Sequence, residues 1–185
     1  EQNSNVFFHE RGEIIVKNGG SLINCGADFT NNNYACILVE QGGYYGPGQE
    51  CNTSVTHKVD SGAFIVVNGG TLNIGDNSKI IFDGLTSFLK VNPNSEIKLG
   101  ENASIEFKNG ARLIADGSTF SGIDSSKLWS GILLDNSGID SISNCTFRHA
   151  KIGLRFTNNA QANYNDRIIK NCNFFIPAGG NHQGI

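Results

Sequence analysis

Two apolar residues flanking a third recur every eight positions through the middle of the chain. They are Phe64/Val66, Leu72/Ile74 and Ile80/Phe82, then, after a one-residue slip, Leu89/Val91, Ile97/Leu99, Ile105/Phe107 and Leu113/Ala115. Side chains two apart on a strand share a face, so each pair marks the buried face of one short strand. Between the pairs lie Asn68-Gly69-Gly70, Gly75-Asp76-Asn77, Asp83-Gly84, Asn92-Pro93-Asn94, Gly100-Glu101-Asn102, Asn109-Gly110 and Asp116-Gly117, residues that tolerate positive φ or fix a turn. Strands this short do not make a stable meander of hairpins, and a propeller blade needs a period of about 40 or more residues. A coil with three sides of eight residues, each side stacked on the same side of the next coil, meets both constraints. The expectation is an all-β chain folded as a three-sided parallel β-helix, or β-solenoid, with coils of about 24–27 residues whose apolar pairs line the interior.

The phrase also appears at a distance. Val16-Lys17-Asn18-Gly19-Gly20-Ser21-Leu22 matches Val66-Val67-Asn68-Gly69-Gly70-Thr71-Leu72, so the wall is expected to begin early. Residues 27–62 then read as a loop-rich insertion that leaves the wall and returns to it. It carries a strand-like Ala35-Cys36-Ile37-Leu38-Val39 and the glycine-rich loop Gln41-Gly42-Gly43-Tyr44-Tyr45-Gly46-Pro47-Gly48. After Ala115 the coils lengthen. Ser118-Thr119-Phe120, Cys145-Thr146-Phe147 and Cys172-Asn173-Phe174 follow one another at 27 residues, which predicts that Asn144 stacks near Asn171 and Cys145 near Cys172. Gly-Ile or Gly-Leu recurs at Gly131-Ile132, Gly153-Leu154 and Gly184-Ile185. The chain stops as that last phrase begins, so residues 1–185 are read as a single β-helix domain and a piece of a longer protein, its open end a contact for further protein.

Composition agrees and narrows the function classes. The 185 residues include 23 glycines and no methionine, a strand-and-turn composition poor in helix formers. A net charge of −3 with scattered Lys and Arg gives no basic stripe for nucleic acid. No apolar run reaches the roughly 18 residues that a membrane-spanning helix needs, so no membrane insertion is expected. The five cysteines contain no CxxC, and neither a metal nor another cofactor is expected.

The run NGGTLNI, the short F/L-x-V and I-x-L/F phrases, NGARLIADGSTFSGI, the tryptophan phrase LWSGILL and SNCTFRHAKIGL together resemble the right-handed parallel β-helix domains of the pectin-lyase-like superfamily. They look most like those in large secreted surface proteins of Bacteroidetes. The likeness is good from about Ala63 to Phe156, fair at Gly12 to Cys25 and at Asp166 to Ile185, and absent from the insertion. It implies a right-handed coil, in line with the general preference for right-handed crossovers, and export by a type 9 route; the sorting domain those proteins carry is absent from the sequence. These phrases specify a wall and not a chemistry.

Many enzymes of that superfamily cut acidic glycans in a groove on the outer wall. A lyase needs a Lys or Arg base, usually with calcium held by clustered Asp; a hydrolase needs paired carboxylates. Asp76, Asp83, Asp116, Asp124, Asp135, Asp140 and Asp166 mostly sit in corner phrases, where turn formation explains them. There is no adjacent Asp pair and no Gly-His-Gly, and Arg167-Ile168-Ile169-Lys170 is one residue too long for the superfamily's Arg-x-Lys. No catalytic residue is therefore assigned. His9, His57, His149 and His182 share no ligand spacing and are expected on the surface or at corners, with His149 the first to inspect.

Tyr44, Tyr45 and Trp129 are the candidate ligand-binding residues, as an aromatic platform for sugar rings. Against this stands a packing role, with the tyrosines pinning the insertion and Trp129 filling a corner of the interior. A disulfide between Cys36 and Cys51 would close the insertion and suit an oxidising compartment, and Cys25 with Cys51 is an alternative pairing. The composite expectation is a structural or adhesive module of a secreted or cell-surface protein, presenting loops to a glycan, a surface or a partner protein. The alternatives are a carbohydrate-active enzyme with catalytic groups partly outside this chain, and a filament subunit or secretion cargo in a larger assembly.

Overall fold

A computed structural model describes residues 6–8, 13–24, 29–31, 36–47, 54–60, 62–138, 140–157 and 168–175, with the backbone alone at 6–8 and 29–31. Among these residues every regular element is a strand. The strands fall into three sheets of seven. Sheet A contains β1 (Val6–Phe8), β4 (Phe29–Asn31), β7 (Thr56–Val59), β10 (Lys79–Asp83), β13 (Ser104–Lys108), β16 (Gly131–Asp135) and β19 (Leu154–Thr157). Sheet B contains β2 (Glu13–Val16), β5 (Cys36–Glu40), β8 (Phe64–Asn68), β11 (Phe88–Val91), β14 (Arg112–Asp116), β17 (Ser141–Ser143) and β20 (Ile168–Lys170). Sheet C contains β3 (Ser21–Asn24), β6 (Tyr44–Pro47), β9 (Thr71–Ile74), β12 (Glu96–Leu99), β15 (Thr119–Gly122), β18 (Thr146–Arg148) and β21 (Asn173–Phe175). Each strand pairs in parallel with the third strand before and after it, as in β7–β10–β13 and β8–β11–β14. The protein is a three-sided parallel β-solenoid.

Alternation along each strand sends every second side chain into the lumen, and stacking of coils turns those positions into ladders. On sheet A one ladder runs His57–Ile80–Ile105–Ile132–Leu154, and its neighbour runs Val59–Phe82–Phe107–Leu134–Phe156. Sheet C contributes Leu22–Tyr45–Leu72–Ile97–Phe120–Phe147–Phe174. Ring stacking follows directly from the register: Phe120 lies 4.9 Å from Phe147, which lies 4.8 Å from Phe174, with planes within 11°. Phe82 and Phe107 stack at 4.9 Å. Nearly all of these lumen residues are fully buried, and each large apolar side chain contributes roughly 1.5–3 kcal/mol by leaving water. The 27-residue spacing is borne out by the same stack, and Asn171 Nδ2 donates to Asn144 Oδ1 at 3.3 Å.

Two sequence expectations need correction. Phe64 and Val66 do not face the lumen; Ile65 and Val67 do, both fully buried. The alignment on Asn-Gly-Gly is what slipped. Val16 stacks on Val39 and Val39 on Val67, not on Val66, because the corner between Val67 and Leu72 is one residue shorter than that between Val16 and Leu22. The second correction concerns 27–62. Within that span β4, β5, β6 and β7 are ordinary rungs of the three sheets, each paired on both sides. The described part of the span is wall.

A repeat hidden by unlike side chains explains why. Val39-Glu40-Gln41-Gly42-Gly43-Tyr44-Tyr45 lies one-for-one over Val16-Lys17-Asn18-Gly19-Gly20-Ser21-Leu22. Its Gly-Gly is required by packing. A Cβ at Gly43 would come within 2.3 Å of the Val16 carbonyl oxygen, and one at Gly70 within 2.5 Å of the Glu40 oxygen. These corners nest too closely for any side chain, and their amides tie coil to coil, as in Tyr44 N–H to Gly20 O at 3.1 Å and Thr71 N–H to Gly43 O at 3.0 Å. Elsewhere asparagine fills the left-handed corner positions, at Asn77, Asn94, Asn102, Asn109, Asn144 and Asn171. Its short amide both tolerates that conformation and bonds its equivalent one coil away, as in Asn102 Nδ2 to Asn77 Oδ1 at 3.1 Å.

Candidate functional site

With the lumen filled, anything that meets a ligand must lie on the outer wall, and the three sheets present different chemistry there. Sheet C is polar outside: Ser21, Tyr44, Thr71, Glu96, Thr119, Thr146 and Asn173 form one ladder, with Asn73, Lys98 and Ser121 beside it. Sheet A is mixed, with Lys58, Ile81, Glu106, Leu133 and Arg155 in one ladder. Sheet B is largely apolar. Its outward ladders are Ile15–Leu38–Val66–Lys90–Ile114–Ser141–Ile168 and Glu13–Cys36–Phe64–Phe88–Arg112.

The three expected aromatic residues part company. Tyr45 is fully buried in the lumen, in the ladder position that Leu22 and Leu72 hold on adjacent coils. Its hydroxyl meets His57 Nδ1 at 2.7 Å, with the rings edge to face at 5.7 Å. His57 is equally buried, in the lumen and not at the surface or a corner as its sequence context suggests. Burial pushes the Tyr45 phenol up and pulls His57 down to about 3, so the pair is neutral at physiological pH. Trp129 is also fully buried, and its indole N–H donates to the Arg148 carbonyl oxygen at 2.7 Å. Neither Tyr45 nor Trp129 has a face to offer a sugar: Trp129 packs in the interior, whereas Tyr45 is itself a rung of the wall and does not pin an insertion to it. Tyr44 alone of the three is partly exposed. It leans along its strand over Gly46, where an added Cβ would lie 2.7 Å from Tyr44 Cε1 and 2.8 Å from its Oη.

Cys36 is a free thiol in β5, while Cys51 and Cys25 lie outside the described residues. Burial, then the nearby Glu13 carboxylate, pushes the Cys36 thiol up to about 11. Cys145 and Cys172 are free too, and stack as expected from the repeat. The Cys145 thiol, also raised to about 11 chiefly by burial, donates to the Ser143 carbonyl at 3.1 Å.

Most of the described carboxylates are spent locally. Asp60 holds Lys58 at 2.8 Å, Glu96 holds Lys98 at 3.0 Å and Glu106 holds Lys108 at 2.6 Å. Asp116 accepts from Ser143 Oγ and Asn144 Nδ2, contacts that hold its carboxyl below the usual range. Asp124 caps its own turn through Ser126. Asp140 departs from the corner pattern. It is fully buried, accepting from the Leu113 amide and Ser137 Oγ, both at 2.8 Å, and it secures the lengthened corner before β17. Two carboxylates do converge, Asp76 and Glu101, but on one ammonium, Lys127, at 3.8 and 3.3 Å on an exposed corner. Among the described residues no three of His, Cys, Asp and Glu are placed to hold a metal ion, and no helix is long and apolar enough to cross a membrane.

His149 holds a left-handed backbone at φ 60° with its Nδ1 buried and without a hydrogen-bond partner. Its carbonyl accepts from the Trp129 amide at 3.2 Å, so its backbone fixes the tryptophan corner. Recesses mark the described outer surface. One of about 280 Å³ on sheet A is bounded by Ser104, Glu106, Ser130, Leu133, Ile152 and Arg155. Another, of about 570 Å³, follows the corner between sheets B and C past Lys17, Glu40, Gln41 and Asn94. The apolar outside of sheet B escaped the sequence reading, although the outward positions were readable once the phase of β8 was known. Comparison with known proteins finds no family model, no curated protein and no solved structure that matches this chain.

Proposed function

We propose that this chain is a structural and adhesive module of a secreted or cell-surface protein, which works by presenting its outer wall to a glycan, a surface or a partner chain and not by catalysis. The observation that carries this reading is the disposition of the ionisable groups. The outer carboxylates Asp60, Asp76, Glu96, Glu101, Glu106, Asp116 and Asp124 are engaged with neighbouring side chains or turn amides on their own wall, and the deeply buried pair, Tyr45 and His57, faces a packed lumen with no room for substrate. A hydrolase or lyase needs the opposite arrangement, with an acid and a base facing each other across a cleft. A rigid wall with chemically distinct faces suits binding. The resemblance to β-helix domains of large surface proteins supports export of the parent protein.

The test is to incubate the purified chain with a panel of neutral and acidic polysaccharides, with calcium and with chelator, and to follow both retention and new chain ends. Retention on a glycan or on intact cells without new ends is the expected result. New unsaturated or reducing ends would overturn the non-catalytic reading, and failure to be retained on any glycan or cell surface would overturn the adhesive one. Tyr44→Ala on sheet C tests the sole remaining member of the aromatic set: loss of glycan retention with an unchanged unfolding midpoint would assign the ligand to that face.

A further inference from the structure

The outward face of sheet B carries two largely apolar ladders, one of them interrupted by Lys90 and Ser141. Ile15 and Ile168, at its two ends, keep 42% and 47% of their surface exposed. Between them Leu38, Val66 and Ile114 stand in one ladder, and Phe64 and Phe88 stand beside them, stacked at 4.7 Å with planes 5° apart. Because the two rings face each other along the stack, they show solvent their edges. A sugar, which packs on ring faces, gains little here. Apolar residues at consecutive outward positions are what an antiparallel or parallel sheet shows only when that face is covered.

The charges on the strip say what covers it. Glu13 stands at one end of the aromatic ladder and Arg112 at the other, in β2 and β14, with β8 midway between them. We propose that the outer face of sheet B is a self-complementary surface on which a second copy of this chain docks, its solenoid antiparallel to the first and related by a two-fold axis along β8. That operator reverses the order of coils while keeping each ladder opposite itself. It places Glu13 of each copy against Arg112 of the other, Leu38 against the alkyl stem of Lys90, and Val66 against its own equivalent. A parallel arrangement, with the two-fold axis along the solenoid between the two ladders, would instead swap the ladders and leave Glu13 opposite Ile15 and Arg112 opposite Ile114, with no charge pairing. Arg112 is already held in place by the Phe88 ring, with its guanidinium carbon 5.8 Å from the ring centroid, and its Nε is buried without a partner.

The five rungs that overlap about this axis, β2 to β14, make a strip roughly 20 Å long and 10 Å wide, well below a standard interface, so the dimer is weak, transient and concentration-dependent. This inference stands apart from the adhesive reading, because it concerns a different face and a readout without glycan.

Sedimentation velocity across a concentration series up to about 0.5 mM, where a contact of this size is populated, should show reversible dimerisation of the wild-type chain. Val66→Lys, which repeats the Lys already present at position 90 of the same ladder, and Glu13→Arg should each weaken it by about tenfold or more. Combining Glu13→Arg with Arg112→Glu should restore it. Val66→Cys should be cross-linked between copies by a short bis-maleimide, above the background set by the native cysteines, because facing sheets about 10 Å apart are too far for a direct disulfide. A chain that stays monomeric throughout the series, or a dimer indifferent to both Val66→Lys and Glu13→Arg, overturns the proposal. Circular dichroism of each variant checks folding; if Val66→Lys fails to fold, the charge swap and the Val66→Cys cross-link decide.

Discussion

The coils formed by residues 64–122 and the coil formed by the described residues between 36 and 60 share one backbone plan and differ in what fills the lumen. In the former, the inward positions of the strands hold Ile, Leu, Val, Phe and Ala, with serines buried only at the corners. In the latter, two positions of the same ladders hold Tyr45 and His57, joined at 2.7 Å through the tyrosine hydroxyl and His57 Nδ1. At inward strand positions a polar side chain is thus accommodated where a facing sheet supplies a partner, as the corner serines and Asp140 are by backbone groups. The cost is a dependence of each on the other that no apolar rung has.

The sharpest way to break the regular side of that comparison is Phe107→Ala. It removes a ring stacked on Phe82 and leaves a void in a closed lumen, so unfolding in urea should show a loss of about 3–5 kcal/mol. On the polar side, acid is the probe. Unfolded His57 titrates near its ordinary 6.5, whereas in the fold burial holds it at about 3. Between those values the unfolded chain binds a proton that the folded chain refuses. The stability that His57 contributes is therefore present above about pH 6.5 and falls as pH drops toward 3, by at most about 1.4 kcal/mol per pH unit. Urea titrations from neutral to mildly acid pH should show a shallower loss for His57→Leu than for the wild type; equal slopes would mean the imidazole is not held neutral. Tyr45→Phe should cost about 1–3 kcal/mol, because it strands the imidazole nitrogen, while Tyr45→Leu with His57→Ile, which restores the residue types of the neighbouring rungs, should cost much less than the sum of the singles. At the small end, Lys98→Ala removes an exposed ion pair to Glu96 on sheet C and should shift stability by less than about 1 kcal/mol.

The same contrast explains what could be read in advance. Eight-residue spacing of Leu72/Ile74, Ile80/Phe82 and their successors carries the fold, because alternation and corner residues are local properties of the chain. Residues 41–47 follow the coil plan but carry Tyr, Gly and Pro where other coils carry Leu and Ile, so they read as a loop. The partner that makes Tyr45 acceptable in the lumen, His57, is twelve residues away on another sheet, and only the closed coil brings them together. Phe64 and Val66 misled in another way: apolar residues stand on both faces of β8, and alternation cannot choose between them. That ambiguity was itself the trace of the apolar outer strip on sheet B. For Tyr44, Tyr45 and Trp129, residue type alone does not reveal which way a side chain points, and one position of phase separates a buried Tyr45 from a partly exposed Tyr44.

Hydrogen exchange across residues 36–47 and 56–59 measures most directly whether the coil with the polar pair is wall like its neighbours. Amides of β5, β6 and β7 are bonded to strands on both sides, so their protection should approach that of β9 and β12. Exchange at the rate of an open loop in those segments, with β9 and β12 still protected, would contradict a continuous solenoid.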